Sequence, residues 1–197
     1  MDDTTETMDG GLVYAFKPRM LAAEHAFRLG PDSLEWFIGG HSGRVAYPMI
    51  ERIRVGFRLT NFMGRRYTAE IFPRSGRRME ISSYSARGVL DNTNQGTAYR
   101  AFIAELHRRI VKARGECRFE AGMAAWRFWP SLAITLAMTA GLIYVVVRGI
   151  YGDQIVTGLL VLAAGALFLW QMGKTVLGNR PRSYSPDAIP EDVLPRG

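Results

Sequence analysis

Arginine is the residue type through which this chain is best equipped to act by contact. Between Gly11 and Gly115, eighteen Lys and Arg stand against eight Asp and Glu, a net +10 for that stretch. Arg44, Arg54, Arg58, Arg65, Arg66, Arg74, Arg77 and Arg78 fall where outward-facing strand positions or turns are expected. Guanidinium groups so placed can meet anionic phospholipid, each contributing about 1 kcal/mol near a charged leaflet. The same pattern also suits a solvated basic face with no ligand. Nucleic acid is not expected as a partner. The arginines interleave with core-facing aromatics instead of an exposed stacking platform, and neither a zinc-finger spacing nor a helix-turn-helix is present.

The remaining reactive side chains point away from catalysis. His25, His41 and His107 stand far apart without the Cys or carboxylate spacing of a metal site, so no metal and no cofactor are expected. No H-E-x-x-H, G-x-S-x-G or Walker loop occurs. Ser82-Ser83-Tyr84-Ser85 reads as the polar end of a strand, His41 as a turn residue, and His107 as the solvated flank of a helix. Cys117 is the single cysteine, which rules out an intramolecular disulfide. No basic residue demonstrably lowers its pKa, and it reads as an idle thiol.

The elements that must position these groups fall into two classes. Pro130–Val147 and Ile155–Trp170 are apolar runs without a charged residue. At the helical rise they span about 27 Å and, with Gln171, about 26 Å, which is bilayer scale. The short stretch 148–154 between them makes an antiparallel hairpin, so two spans and an integral membrane protein are expected. The overall hydrophobic share of 48% is ordinary because a charged soluble portion averages against these runs. Lys112, Arg114, Arg118 and Arg127 precede the first run and Lys174, Arg180 and Arg182 follow the second, whereas Arg148 stands alone between them. Positive charge stays inside, so both termini are expected in the cytoplasm. The acidic opening MDDTTETMDG lacks the chemistry of a signal peptide and fits the same placement.

Within the first run Ala133, Ala137 and Gly141 recur every fourth residue. A small-residue face of this kind lets another helix approach closely. It would serve packing on the second span through Gly158 or Gly165, self-association into a homo-oligomer, or a partner membrane protein. No ionisable residue lies in either run, which argues against a proton or ion path.

Before the runs, period-two patterning over residues 24–84 predicts strands. Ile53, Val55, Phe57 and Leu59 share one face while Arg52, Arg54 and Arg58 take the other; Leu34, Trp36 and Ile38 repeat the pattern. Turn signals such as Gly30-Pro31-Asp32 and Asn61-Phe62-Met63-Gly64 divide the blocks into a meander of about six strands. Tyr99, Phe102, Ile103, Leu106 and Ile110 then form a helical stripe, with Thr97 as N-cap and Gly115 as stop.

Antiparallel strands followed by one amphipathic helix resemble the pleckstrin-homology-like fold, in which the helix plugs a curved barrel. The stretches FRLGPDSLEW, GRVAYPMIERIRVGF and RRYTAEIFPRSGRRMEI, and the tail SYSPDAIPEDVLP, resemble uncharacterised membrane proteins of alphaproteobacteria that carry such a domain. The resemblance implies an α+β class and a bacterial inner-membrane location. It carries no catalytic motif and no established ligand site, and here the hairpin follows the domain where many relatives have it first. A seventh strand is not obvious unless Leu12–Phe16 supplies it. The fold's phosphoinositide site uses a basic first hairpin, and Gly30-Pro31-Asp32 is not basic.

The expected organisation is a disordered acidic N-terminus at 1–10, a cytoplasmic domain at 11–115, a connector at 116–129, the hairpin at 130–173 and a proline-rich tail at 174–197. Tyr184, Ile189, Val193 and Leu194 are the sizeable apolar side chains after Leu177, stiffened by Pro186 and Pro190. They suit docking on the chain's own domain or on a partner, while a plain linker would not need them. The functional expectation is a non-enzymatic binding or scaffold domain held at the membrane, contacting anionic lipid or a protein. The alternative is an accessory subunit of a transport or envelope-maintenance complex.

Overall fold

The computed structural model describes residues 7–8, 11–19, 21–60, 64–86, 92–152 and 155–195. The chain divides into two units: Met1–Gly122 together with Arg182–Gly197, and Met123–Pro181. The fold is α+β.

In the first unit, β1 (Thr7–Met8), β2 (Gly11–Phe16), β3 (His25–Leu29), β4 (Ser33–Ile38) and β5 (His41–Ala46) form an antiparallel sheet in chain order. Leu12–Phe16 does supply a strand, and the first long hairpin is therefore β2–β3. Its connection carries Lys17 and Arg19, whereas Gly30-Pro31-Asp32 is the turn that follows. β1 lies within the ten residues expected to be disordered and pairs Thr7 with Leu12.

A 3-10 turn at Tyr47–Met49 leads into β6 (Ile50–Thr60), β7 (Gly64–Pro73) and β8 (Met79–Ser82), the core of a second sheet. β9 (Tyr84–Ala86) and β10 (Asn92–Asn94) pair separately, and α1 spans Gly96–Lys112. Gln95 holds the N-cap position where Thr97 was expected. Two strands join the second sheet from beyond the domain boundary read in the sequence. β11 (Arg118–Ala121) runs parallel to β6, and β12 (Arg182–Ser183) runs antiparallel to β11. Residues 116–129 are thus not a plain connector.

The expected barrel does not close among the described residues. β2 and the residue after it meet the later strands through single bonds, such as Tyr14 Oη to Ser82 O on β8 at 2.6 Å and Ala86 N on β9 to Lys17 O at 2.9 Å. The result is two five-stranded sheets and the short β9–β10 pair, with α1 packed on them. Ile53, Val55, Ala69, Ile71 and Ile81 line one side of this core and Tyr99, Phe102, Ile103, Leu106 and Ile110 the other, all fully buried. Apolar alternation on strands and a 3.6-residue stripe on a helix each leave one face to cover, and each covers the other. Close packing continues at the end of α1, where a Cβ on Gly115 would stand 3.1 Å from Pro48 Cα.

The second unit is a helical hairpin of α2 (Ala125–Tyr151) and α3 (Ile155–Gly178). Both helices are long and apolar enough to cross a membrane. Ile134, Leu136, Ile143, Leu159, Leu160 and Phe168 are exposed along them, and Trp126, Trp129, Tyr151 and Trp170 are exposed towards their ends. Ser131, Thr135 and Thr139 bond back to carbonyls four residues earlier, each at 2.8 Å, which satisfies their hydroxyls without water.

Candidate functional site

Pleating turns the alternation of β6 into two opposed surfaces. Ile53, Val55 and Phe57 enter the core, and Arg52, Arg54 and Arg58 face outward with the arginines and carboxylates of the neighbouring strands. Arg54 is opposite Glu70 on β7 and beside Glu120 on β11. Its Nη2 donates to Glu120 Oε2 at 2.6 Å and its Nη1 lies 3.8 Å from Glu70. Glu70 also attracts Arg78 at 3.6 Å and Arg58 at 3.9 Å. Phe72 lies beneath Arg52 at 4.3 Å and Arg54 at 5.6 Å, adding cation–π attraction.

The eight arginines singled out in the sequence are therefore not one surface. Arg44 lies on β5 in the other sheet, exposed and opposite Glu35. Arg54 has a side chain only 15% exposed and is consumed by two carboxylates. Arg74 pairs with Glu116 at 3.4 Å, and Arg77 is exposed without an ion pair among the described residues. Arg65 stacks over Phe57 at 4.6 Å, whereas Arg66 donates through Nε to Ser82 Oγ at 2.8 Å. Arg54, Arg58, Arg66 and Arg78 are the four that share the outer face of the second sheet.

The tail candidates come together in a second place. Tyr184 N donates to Phe119 O at 3.1 Å, extending the β11–β12 pairing by one bond. Its ring stacks on His107 at 5.9 Å and lies 6.0 Å from Phe119. Val193 is fully buried, Leu194 is 4% exposed, and both belong to the core, with Ile189 packed against it. Arg182 pairs with Asp192, and Arg100 donates to Pro195 O at 3.3 Å. The tail is a structural part of the domain.

His107 is the correction with the most chemistry in it. It is 1% exposed, not on a solvated flank. Its Nδ1 lies 2.7 Å from Ile103 O, so that nitrogen carries the proton, and Nε2 accepts from the Tyr184 hydroxyl at 2.7 Å. Burial is the larger effect and pushes its pKa down to about 4, against the opposing pull of the Ile103 carbonyl. Burial likewise raises the hydroxyls of Tyr184 and Tyr99. Cys117, half-buried nearby, is pushed up to about 12 by burial, which keeps it a thiol at neutral pH. His107 stands roughly 80° around α1 from the centre of the apolar stripe. That angle marks a stripe edge, and only a covering segment decides whether such an edge is wet.

The small-residue candidates are also placed differently from their intramolecular reading. Ala133, Ala137 and Gly141 are exposed, and a Cβ on Gly141 would meet nothing within 4 Å. Gly165 faces Leu142, whose Cδ1 would stand 2.7 Å from an added Cβ, and a Cβ on Gly158 would stand 3.8 Å from Gly149 Cα. Thr135, Leu142, Val146 and Gly149 carry the contact side of α2, leaving the alanines to one flank.

A cleft of 1110 Å³ between the end of α1 and the β3–β4 turn is lined by Asp32, Tyr47, Glu105, Arg108, Arg109 and Lys112. Its charges are largely settled internally. Glu105 pairs with both Arg108 and Arg109, and Arg109 Nη1 donates to Leu29 O at 2.9 Å. Among the described residues no three His, Cys, Asp or Glu side chains are grouped to hold a metal. Comparison with protein-family models, curated proteins and solved structures found no match for this chain.

Proposed function

We propose that this chain is an integral protein of a bacterial inner membrane, with a cytoplasmic pleckstrin-homology-like domain serving as a binding or scaffold module rather than an enzyme. Supporting the fold reading are two consecutive antiparallel strand runs closed off by one amphipathic helix. The parallel addition of β11 and the pairing of β12 are departures from the simplest form of that fold. The observation that carries the functional reading is the pairing of two span-length apolar helices with a domain whose second sheet presents arginines on its outer face. Lys112, Arg114, Arg118 and Arg127 before α2, with Lys174, Arg180 and Arg182 at the other end, favour both termini inside. Anionic phospholipid is the contact such a face favours, and a protein partner is the other.

Orientation is tested by reporter fusion. A phosphatase active only in the periplasm should work after Gly152 and fail after Gly197; activity at Gly197 reverses the reading. Lipid contact is tested with the full chain, because residues 11–115 alone would omit β11, β12, Val193 and Leu194. Full-length protein in nanodiscs should float with added phosphatidylglycerol vesicles and release as salt shortens the Debye length to about 8 Å at 0.15 M. Equal capture by neutral vesicles sinks the electrostatic account.

The exposed face of Ala133, Ala137 and Gly141 favours a second reading, an accessory subunit packed helix to helix against a larger membrane protein. Enlarging Ala137 to Leu should then remove a polytopic partner from native-membrane purifications. An unchanged set of partners removes that reading.

A further inference from the structure

On the outer face of the second sheet, like charges stand directly opposite one another at three places. Glu70 faces Glu80, Arg52 faces Arg118, and Arg58 faces Arg66. Such pairs are destabilising unless a counterion lies between them. The first is answered by Arg78 and Arg54 on Glu70, at 3.6 and 3.8 Å. The second is answered by Glu120, 3.8 Å from Arg52, and by the Phe72 ring. The third is answered on one side only. Arg58 is the most distant of the guanidiniums around Glu70, at 3.9 Å, with a side chain 52% exposed. Arg66 has no ion pair among the described residues.

The surroundings suit an anion. Ser82 Oγ holds Arg66 through Nε at 2.8 Å, which fixes the plane of the guanidinium while its Nη groups make no hydrogen bond among the described residues. The next row across the face, Gly56, Thr68 and Ser82, is small and buried, so the guanidiniums alone would meet an anion there. Two guanidinium forks rooted at directly opposed positions match the oxygens of a phosphate better than two ammonium groups would. Only residues 122–124 separate β11 from α2, so the domain is tethered close in sequence to a span-length helix, and a membrane phosphate is available at high effective concentration.

We propose that Arg58 and Arg66 form a two-guanidinium clamp for the phosphodiester of an anionic phospholipid headgroup. This rests on reading the domain as a lipid-contacting module, and it names the seat within that surface. Arg54 and Arg78 hold the neighbouring carboxylates in place and are not ligands.

The test is thermal unfolding of full-length protein in nanodiscs of phosphatidylcholine alone or with phosphatidylglycerol. Wild type should gain a higher midpoint from phosphatidylglycerol. R58Q/R66Q should start higher in phosphatidylcholine, because the repulsion is gone, and should lose the gain. R58K/R66K keeps the charge without the forks and should lose most of it. R44Q/R77Q removes the same charge elsewhere and should keep it. Retention of the gain in R58Q/R66Q overturns the clamp while the wider lipid reading stands. Equal loss in R44Q/R77Q also overturns it, in favour of diffuse charge. Wild type without any gain overturns both readings. An equal gain from soluble glycerol phosphate in phosphatidylcholine discs overturns the assignment to lipid and gives the clamp to a free phosphate ester.

Discussion

The groove under the tail and the Ala133–Ala137–Gly141 face of α2 are both surfaces on which another element can lie, and only the first is covered. Along the groove, Phe119 and His107 meet Tyr184, and Val193 and Leu194 enter the core beyond them. On α2, a Cβ added to Gly141 would touch nothing. On the membrane reading proposed above, the difference is one of solvent. Water makes bare apolar area costly, at about 25 cal/mol per Å². Hydrocarbon exacts no such penalty, because lipid tails are as apolar as the helix they touch. An uncovered small-residue face is therefore consistent with a lipid-facing helix, whereas a tail groove left open in water would be a defect.

The largest expected effect comes from uncovering the groove. Val193→Asp would bury an unpaired carboxylate at a site with no exposure and should cost about 4 kcal/mol or more. Leu194→Ala, a truncation in the same seat, should cost about 2–4 kcal/mol. Denaturant unfolding of the detergent-solubilised chain, followed through Trp36, measures both. Amide hydrogen exchange should show Tyr184, whose N–H donates to Phe119 O, protected in the wild type and released in Val193→Asp. A tail that exchanges freely in the wild type would leave the groove uncovered and erase the contrast with α2.

The next effect follows from what the tail does to His107. Above pH 6.5 the imidazole is neutral in both folded and unfolded chains and contributes no pH slope. As pH falls through 6.5 the unfolded chain binds the proton first; the folded chain resists until about 4. Stability should therefore decline between pH 6.5 and 4, by roughly 3 kcal/mol from this residue. His107→Phe should flatten that part of the slope, leaving the contribution of His25, whose pKa burial also lowers. A profile unchanged in His107→Phe would mean that the tail does not seal the ring from water.

The two regions also differ in how far the sequence exposed them. Ile53, Val55 and Phe57 declare their face by alternation, and the apolar stripe of α1 declares its own, because burial of one side leaves a period in the chain. β11 leaves almost none. Its four residues Arg118–Ala121 are too short to establish a period, and its partner β6 is distant in the chain and parallel to it. Arg54 read correctly as outward-facing but not as paired, since Glu120 stands 66 residues away. His107 was misread for the same reason, its cover being supplied from Tyr184, 77 residues on. The tail's docking residues were legible because large apolar side chains in a proline-rich segment require an explanation. On α2 the spacing of Ala133, Ala137 and Gly141 announced that close approach was allowed, yet the contact formed one flank away. Local composition gives permission for a contact, and the partner's own shape determines where it occurs.

The smallest effect tests that last distinction within one hairpin. Gly165→Leu would drive a side chain into Leu142, whose Cδ1 already lies 2.7 Å from where a Cβ would stand. Overpacking of this kind costs about 1–3 kcal/mol. Ala137→Leu adds nearly the same atoms to an exposed face of α2, and its effect on folding should stay within about 0.5 kcal/mol. Steric trapping of the hairpin in bicelles, with both variants compared against wild type, measures the difference. If Ala137→Leu cost as much as Gly165→Leu, the alanine face would already be filled, by a second copy or another helix under those conditions. A near-zero cost in bicelles together with a loss in native membranes would show that the seat exists and that its occupant is a different protein.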